Sequence, residues 1–336
     1  MSKHPIRHPA YRILICTALL IGSALLPPTI HGEETDADPP PSLPLLVKAR
    51  RGDTPASIAR RYLNDASKGW MIAEYNGMAA FSGGEPVLVP MAPFRPGGLT
   101  PDGYQTVPVL AYSDIGESSG QRRQVPRSAF DRQMRWLKTE GFVAITPSQL
   151  TDFMGFSGQL PRRSVLITFD TASLSLFEIG IPILKELGFT ATVFAATNHV
   201  GDKKAMTWDQ IKQLHRDGFT IGCRGRSGRS LTHRTKGQTF EDYFKSVEAE
   251  LRLARQTIQT HLDAPCLFLA YPQGDADSLV SAVAAKLGFS AAFLLRPGDN
   301  PFFADRYGIH RTRIGRGMNM ERFGQSLTTR IKADLN

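Results

Sequence analysis

From Thr106 onward, short apolar runs alternate with amphipathic helical stretches, and this alternation constrains the fold more than any other feature. The runs expected as strands are Val107–Tyr112, Val165–Phe169, Ala191–Phe194, Thr220–Cys223 and Leu267–Tyr271. Helical patterns lie at about Phe130–Glu140, Pro147–Met154, Phe177–Leu187, Trp208–Arg216, Phe240–His261 and Ser278–Leu287. Strands that are apolar on both sides need cover on both faces, so this pattern predicts a parallel sheet with helices outside it. An open sheet and a (β/α) barrel both satisfy it. In such barrels the chemistry collects at the C-terminal ends of the strands. Phe169-Asp170-Thr171 marks one of those ends.

The chain of 336 residues has room for a domain of about 200 residues and a small module. Lys3, Arg7 and Arg12 precede an apolar run of 14 residues, Ile13–Leu26. That is shorter than the span of about 20 residues a bilayer needs, and it fits an export signal. Residues 1–32 are therefore expected to be a signal peptide cleaved near Gly32, with an uncleaved anchor as the alternative. Cys16 lies inside the apolar run, which disfavours a lipid anchor. The expected location is the periplasm or cell envelope. Removing three basic and no acidic residues takes the net charge from +9 to +6. A basic exported protein suits anionic wall polymers or membrane surfaces, and no stacking motif points to nucleic acid. Cys223 and Cys266 remain. Expected at opposite ends of neighbouring parallel strands, they would stand about 13 Å apart at 3.3 Å per residue, whereas disulfide Cα atoms lie within about 7 Å. Both are expected to be small buried residues.

Residues 33–44 form a proline-rich spacer, and residues 92–105, rich in Pro and Gly, read as a linker. Between them, residues 45–91 give a strand, a helix from Pro55 to Leu63 capped by Thr54, a second helix around Trp70–Tyr75 and a closing strand in "GEPVLVP". The order Gly52-Asp53-Thr54, Ile58-Ala59, Asn76 and Val89-Pro90 resembles a LysM module. The resemblance implies binding of N-acetylglucosamine-containing glycans such as peptidoglycan or chitin. Its contacts would come from the loops around Gly52, Asp53 and Thr54 and around Tyr75–Gly77, including Asn76.

Residues 106–327 resemble the polysaccharide deacetylases, the NodB homology domain of carbohydrate esterase family four. The stretches that carry the resemblance are "VPVLAYSDI", "VLITFDT", "IPILKELGFTATVF", "MTWDQIKQLHRDGFTIG" and "FLAYPQGD". The fold class implied is α/β, a distorted (β/α) barrel of the NodB type preceded by the small α+β module. The resemblance also implies a divalent metal, usually zinc, held by one aspartate and two histidines, with a second aspartate as base. Asp170 falls on the base. Thr171 stands at the metal-binding aspartate, Arg224 at the first histidine and Gly228 at the second. A metal can lower the pKa of bound water from 15.7 to about 7, a shift worth roughly 12 kcal/mol at 1.36 kcal/mol per unit.

Two readings follow. In the first, the cleft is catalytically degenerate and carries no metal. Asp170 is then a remnant base, Arg224 pairs with it in the vacated metal position, and Arg224, Arg226 and Tyr271 contact a neutral or anionic glycan. Such a protein acts on or binds N-acetylated envelope glycan, with an envelope protein as a further possible partner. In the second, it is an active polysaccharide N-deacetylase whose zinc site uses other residues, such as His215, His233 and Cys223. His310 in "YGIHRTRIG" is read as structural, and Ser227 and Ser230 lack the surroundings of a serine nucleophile.

Overall fold

The computed structural model describes residues 43–117 and 124–333, so the expected export signal and all but the last two residues of the spacer lie outside the described residues. The chain first builds a small βααβ unit. Strands β1 (Leu45–Lys48) and β2 (Pro86–Val89) pair antiparallel, Leu45 opposite Val89 and Lys48 opposite Pro86. Helices α1 (Pro55–Leu63) and α2 (Gly69–Asn76) lie between them in sequence. The Thr54 hydroxyl accepts from the Ser57 N–H while the Ser57 hydroxyl accepts from the Thr54 N–H, a reciprocal cap that starts α1 with Pro55 in its first turn. The helices cross closely because Gly69 has no side chain; a Cβ there would lie 2.8 Å from the Ala56 nitrogen. Ile58, Ala59, Ile72, Val87 and Val89 form the unit's own core.

The stretch expected to be a linker carries structure. Strands β3 (Leu99–Thr100) and β4 (Gly103–Gln105) form an antiparallel ladder that β15 (Arg330–Lys332), the last strand, extends. The two ends of the large domain are thereby pinned together.

The large domain continues through β5 (Val109–Tyr112), β6 (Asp114–Gly116), β7 (Gln124–Pro126), α3 (Arg127–Thr139), β8 (Val143–Ala144), α4 (Pro147–Met154) and β9 (Ser164–Phe169). Then come α5 (Ile181–Leu187), β10 (Thr192–Ala195), α6 (Trp208–Arg216), β11 (Thr220–Cys223), α7 (Phe240–Leu262) and β12 (Phe268–Ala270). Helix α8 (Ser278–Lys286), β13 (Ala291–Phe293), β14 (Thr312–Ile314) and α9 (Met320–Gln325) complete it. The main sheet runs β13-β12-β11-β10-β9-β5-β14, with β8 beside the start of β9, and every pairing in it is parallel. An isolated bridge between Phe293 and Ile309 brings the β13 edge to the segment leading into β14, so the sheet curls into the expected (β/α) form.

Both faces of the strands are covered. Val165, Ile167 and Phe169 pack among the helices. Leu166 joins Val109, Phe194, Phe268 and Phe293 in a second core, against which α4 lies. The period of two follows from the pleat. The five expected strands are present to within two residues. The sequence pattern missed β8, β13 and β14, which are two or three residues long, and in "HRTRIG" charge hides the apolar signal. Helix Phe177–Leu187 is divided into a π turn, Leu176–Gly180, and α5. Pro182 has no N–H to donate to the preceding turn.

Candidate functional site

The C-terminal ends of β5, β9 and β11 meet around Asp170, the residue after β9. Its N–H donates to the Tyr112 carbonyl at 2.9 Å, which extends the β5–β9 ladder by one step. The carboxylate is gripped from two sides by Arg311. Nη1 lies 2.6 Å from Oδ1 and Nη2 lies 3.3 Å from Oδ2. The Arg311 side chain is 0% exposed and that of Asp170 8% exposed. Arg311 also donates through Nε to the Leu294 carbonyl (2.8 Å) and through Nη1 to the Thr168 hydroxyl (3.2 Å), and its guanidinium lies over the Phe194 ring. A fully buried guanidinium needs this many partners, because an unpaired one would lose its hydration without recompense.

Asp170 opens on one side into a cleft of about 250 Å³, lined by Asp114, Thr171, Arg224, Gln273 and Arg313 among others. An adjoining recess of about 170 Å³ shares Asp170, Thr171 and Arg224 and reaches His199. Asp114 accepts from the Ile115 N–H, Gln124 Nε2 and the hydroxyls of Ser173 and Ser175 at 2.5–2.9 Å. Gln273 enters the cleft from a turn in which its own φ is +61°, and its amide donates to the Gly228 carbonyl at 3.1 Å. A left-handed backbone at a side-chain-bearing residue is uncommon and holds this amide against the arginine loop.

Comparison with known proteins places this arrangement. Residues 157–292 match the polysaccharide deacetylase family model. Over this stretch the barrel is similar to the polysaccharide deacetylases. It is 26% identical over 218 residues to YxkH of Bacillus subtilis, covering 65% of this chain and 75% of that one. It is 25% identical over 195 residues to a poly-β-1,6-N-acetyl-D-glucosamine N-deacetylase of Staphylococcus aureus, covering 54% of this chain and 66% of that one. Among solved structures the fold matches Streptococcus pyogenes deacetylase PplD with a TM-score of 0.61 at 20% identity, over 66% of this chain and 98% of that chain. IcaB from Ammonifex degensii matches at 0.58 and 23% identity, over 67% of this chain and 95% of that chain.

Against the metal that a polysaccharide deacetylase implies, the residues present do not fit. Among the described residues no group of three or more His, Cys, Asp or Glu side chains is placed to hold a metal ion. Arg224 follows β11 and lines both the cleft and the recess. Gly228 has φ +68°, and a Cβ there would lie 3.4 Å from Arg224 Nη1. The backbone at Gly228, where the resemblance puts a histidine, is left-handed with a guanidinium beside it. His215 is exposed on α6 and His233 exposed in a loop, its Nδ1 3.3 Å from the Ser230 hydroxyl. Cys223 is fully buried, and that burial raises its thiol pKa well above the ordinary range. These three do not assemble. Cys266 is likewise buried and free, pushed up to about 12 by burial.

Several expected site residues have other work. The expected Arg224–Asp170 pair is corrected: the bidentate partner of Asp170 is Arg311, immediately after the His310 that drew attention in the sequence. His310 itself contacts the Arg296 carbonyl through Nδ1 at 3.2 Å. Tyr271 is not a cleft residue but 0% exposed, donating to the Tyr307 carbonyl at 2.9 Å, with the Ser281 hydroxyl 3.2 Å from its oxygen. Burial pushes its hydroxyl up to about 12. Arg226 does not line the cleft; its carbonyl accepts from the Asn198 N–H. Asp114, Gln273, His199 and Arg313 were missed. No motif marks them, although Asp114 and Gln273 each sit a few residues past a recognisable strand.

In the βααβ unit the expected glycan contacts are spent internally. Asp53 receives both terminal nitrogens of Arg61 and the Arg50 N–H, which hold its carboxyl far below the usual carboxylate range. Thr54 caps α1, and Gly52 supplies the left-handed turn with φ +85°. Asn76 clasps β2 through the Leu88 N–H and carbonyl and holds the Ile72 carbonyl as well. Tyr75 packs edge-on against Phe94 with ring centroids 4.9 Å apart.

Proposed function

We propose that this protein is an exported glycan-binding member of the deacetylase-type fold, whose strand-end cleft holds an N-acetylated envelope glycan without hydrolysing it. One observation carries the reading: the Arg224 guanidinium lies beside Gly228, where the resemblance puts two metal-binding histidines, with Thr171 at the place of the metal-binding aspartate. Arginine stays protonated and donates in every direction it can bond, so it repels a divalent cation from the space where one would bind. What the cleft offers instead is a set of fixed donors and acceptors. Arg224 and Arg313 supply positive charge, and Asp114 and Gln273 supply acceptors and amide donors. These suit the hydroxyl, acetamide and carboxylate groups of a glycan. A concave site with a few fixed polar groups is the ordinary form of a ligand pocket. The N-acetylglucosamine polymer named for the Staphylococcus aureus relative supports the choice of polymer. The basic n-region and short apolar run support export, and the order of turns and helices in residues 45–91 supports a LysM-like tether.

Native mass spectrometry of the purified protein with added zinc, together with an acetate-release assay on N-acetylglucosamine polymer, tests this. The expected result is no bound zinc, no acetate, and retention of the protein on the insoluble polymer, weakened by Arg224→Ala. One zinc per chain with acetate release would overturn the proposal in favour of an active N-deacetylase with a non-standard metal site.

A further inference from the structure

Where the βααβ unit meets the barrel, a groove of about 520 Å³ runs between the α1–α2 connection, the Pro90–Pro93 segment and the start of α4. Its walls are fastened. Glu74 on α2 is bound by the buried Arg95 guanidinium and accepts the Arg162 N–H at 2.9 Å. The Gln159 carbonyl oxygen accepts the N–H groups of Phe94 (2.8 Å) and Arg95 (3.0 Å). The groove is therefore formed before any ligand arrives.

Its lining differs from the turn at Gly52–Thr54 and the clasp at Asn76, because several of its polar groups are unspent. Trp70 lines the groove half-buried, and its indole N–H has no partner within the described residues. Gln159 Nε2 is buried without a partner, and its amide cannot turn over without losing the two bonds just described. Gln149 commits its carbonyl oxygen to the cap of α4 through the Thr146 N–H at 2.8 Å, which leaves its Nε2 directed elsewhere. Asp152 and Lys68 line the same space, exposed and without ion-pair partners among the described residues. A buried amide donor without an acceptor carries a desolvation cost of about 1–3 kcal/mol.

We infer that this seam, and not the Gly52–Thr54 and Asn76 loops, is where the protein grips an uncharged pyranose polymer. The inference rests on the glycan reading above and relocates its tether. An indole face packs against the C–H face of a sugar ring while its N–H reaches a hydroxyl. The exposed Gln149 amide donates to acetamide carbonyls or ring hydroxyls, and Asp152 accepts from hydroxyls. One lysine against Asp65 and Asp152 leaves no excess of positive charge to select an anion. In this respect the seam differs from the arginine-lined cleft.

The test is titration of the full-length protein with the hexamer of N-acetylglucosamine, followed by calorimetry. Trp70→Ala should weaken binding by about tenfold or more, the range for a buried aromatic anchor, while Trp70→Phe retains most of it. Asp152→Ala, an exposed change that leaves the fold intact, should weaken it about tenfold, one charge-assisted bond at the weak end of its range. Wild-type affinity in both Trp70→Ala and Asp152→Ala, with loss only in Arg224→Ala, would overturn the seam site and leave the cleft proposal standing. Loss in the seam variants with an unchanged Arg224→Ala protein would place the glycan in the seam alone. No binding by the wild type would end both.

Discussion

Two aspartates clamped by arginines anchor the two regions first expected to hold ligand, and they do so on different scales. Asp53 and Arg61 are eight residues apart and tie a turn to the helix that follows it. Asp170 and Arg311 are 141 residues apart and tie the end of β9 to the strand that closes the curled sheet. In the first pair the arginine side chain is 27% exposed; in the second it is 0% exposed. If the small pair is broken, Arg61 can turn to water. If the large pair is broken, Arg311 is left charged inside the barrel. The same two side chains thus make a local staple in one place and a keystone of the domain in the other.

The largest expected effect tests that difference directly. Asp170→Ala should destabilise the domain by about 3–5 kcal/mol, the cost of a buried charge left without its partner, measured by denaturant unfolding. Asp170→Asn combined with Arg311→Met should recover a large part of that loss, because no uncompensated charge remains. Additive losses in the double-mutant cycle would break the comparison. They would show that Asp170 is held by its backbone and not by the guanidinium.

The small pair should give a smaller effect with a pH signature. Asp53→Asn should cost about 1–2 kcal/mol at pH 7, the scale of charged hydrogen bonds lost at a partly exposed site. The folded-state pKa of Asp53 is lowered, chiefly by the Arg61 hydrogen bonds. The stabilisation is therefore complete above the unfolded value of about 3.9 and is lost as pH falls below it. Thermal unfolding from pH 7 to pH 2.5 should show a steeper acid limb in the wild type than in the variant. Parallel curves would mean that the pair adds no stability.

The two pairs also mark how much the sequence could disclose. The alternation of apolar runs was enough for a parallel sheet, and "VLITFDT" was enough to put Asp170 at a strand end. Thr54 and Pro55 announced α1 to the residue. The identity of Asp170's partner was not available. Its strand is three residues long, alternates with charge, and reaches the site only because the sheet curls. A buried carboxylate requires a counter-charge, and the resemblance put the three arginines of "CRGRSGR" on a loop beside it; the partner in the structure is Arg311. The loops expected to touch glycan are ambiguous for a related reason. Gly-Asp-Thr and Asn are as good at making turns and caps as at touching sugars, and here the geometry spends them on turns. Trp70 had been placed on a helix but not at the wall of a groove, since that wall is made of residues about 80 positions further on, a distance that only the fold closes.

Building a metal site probes the cleft from the other direction. Thr171→Asp with Arg224→His returns two ligand types, yet the third position resists. A histidine at Gly228 would adopt φ near +68°, which costs roughly 1–2 kcal/mol for a residue with a Cβ. The double variant should bind zinc weakly, and adding Gly228→His should lower stability by about that amount without a matching gain in zinc affinity by native mass spectrometry. A triple variant as stable as the wild type and tightly zinc-bound would show that the loop can accept a metal ligand at that position.

The smallest effect belongs to Tyr271, a neutral group whose partner is again distant in sequence. Tyr271→Phe should cost about 1 kcal/mol at neutral pH, one buried hydrogen bond to the Tyr307 carbonyl. Burial raises its hydroxyl to about 12, against about 10 in the unfolded chain. Its contribution is therefore whole below pH 10 and lost as pH rises toward 12. Cys266, also raised to about 12, starts to destabilise earlier, from an unfolded value of about 8.5. In Tyr271→Phe the alkaline loss should begin at the same pH as in the wild type, since Cys266 sets the onset, but flatten above pH 10. An unchanged slope there would mean that the Tyr271 hydroxyl reaches solvent, and would return it to the cleft as a ligand contact.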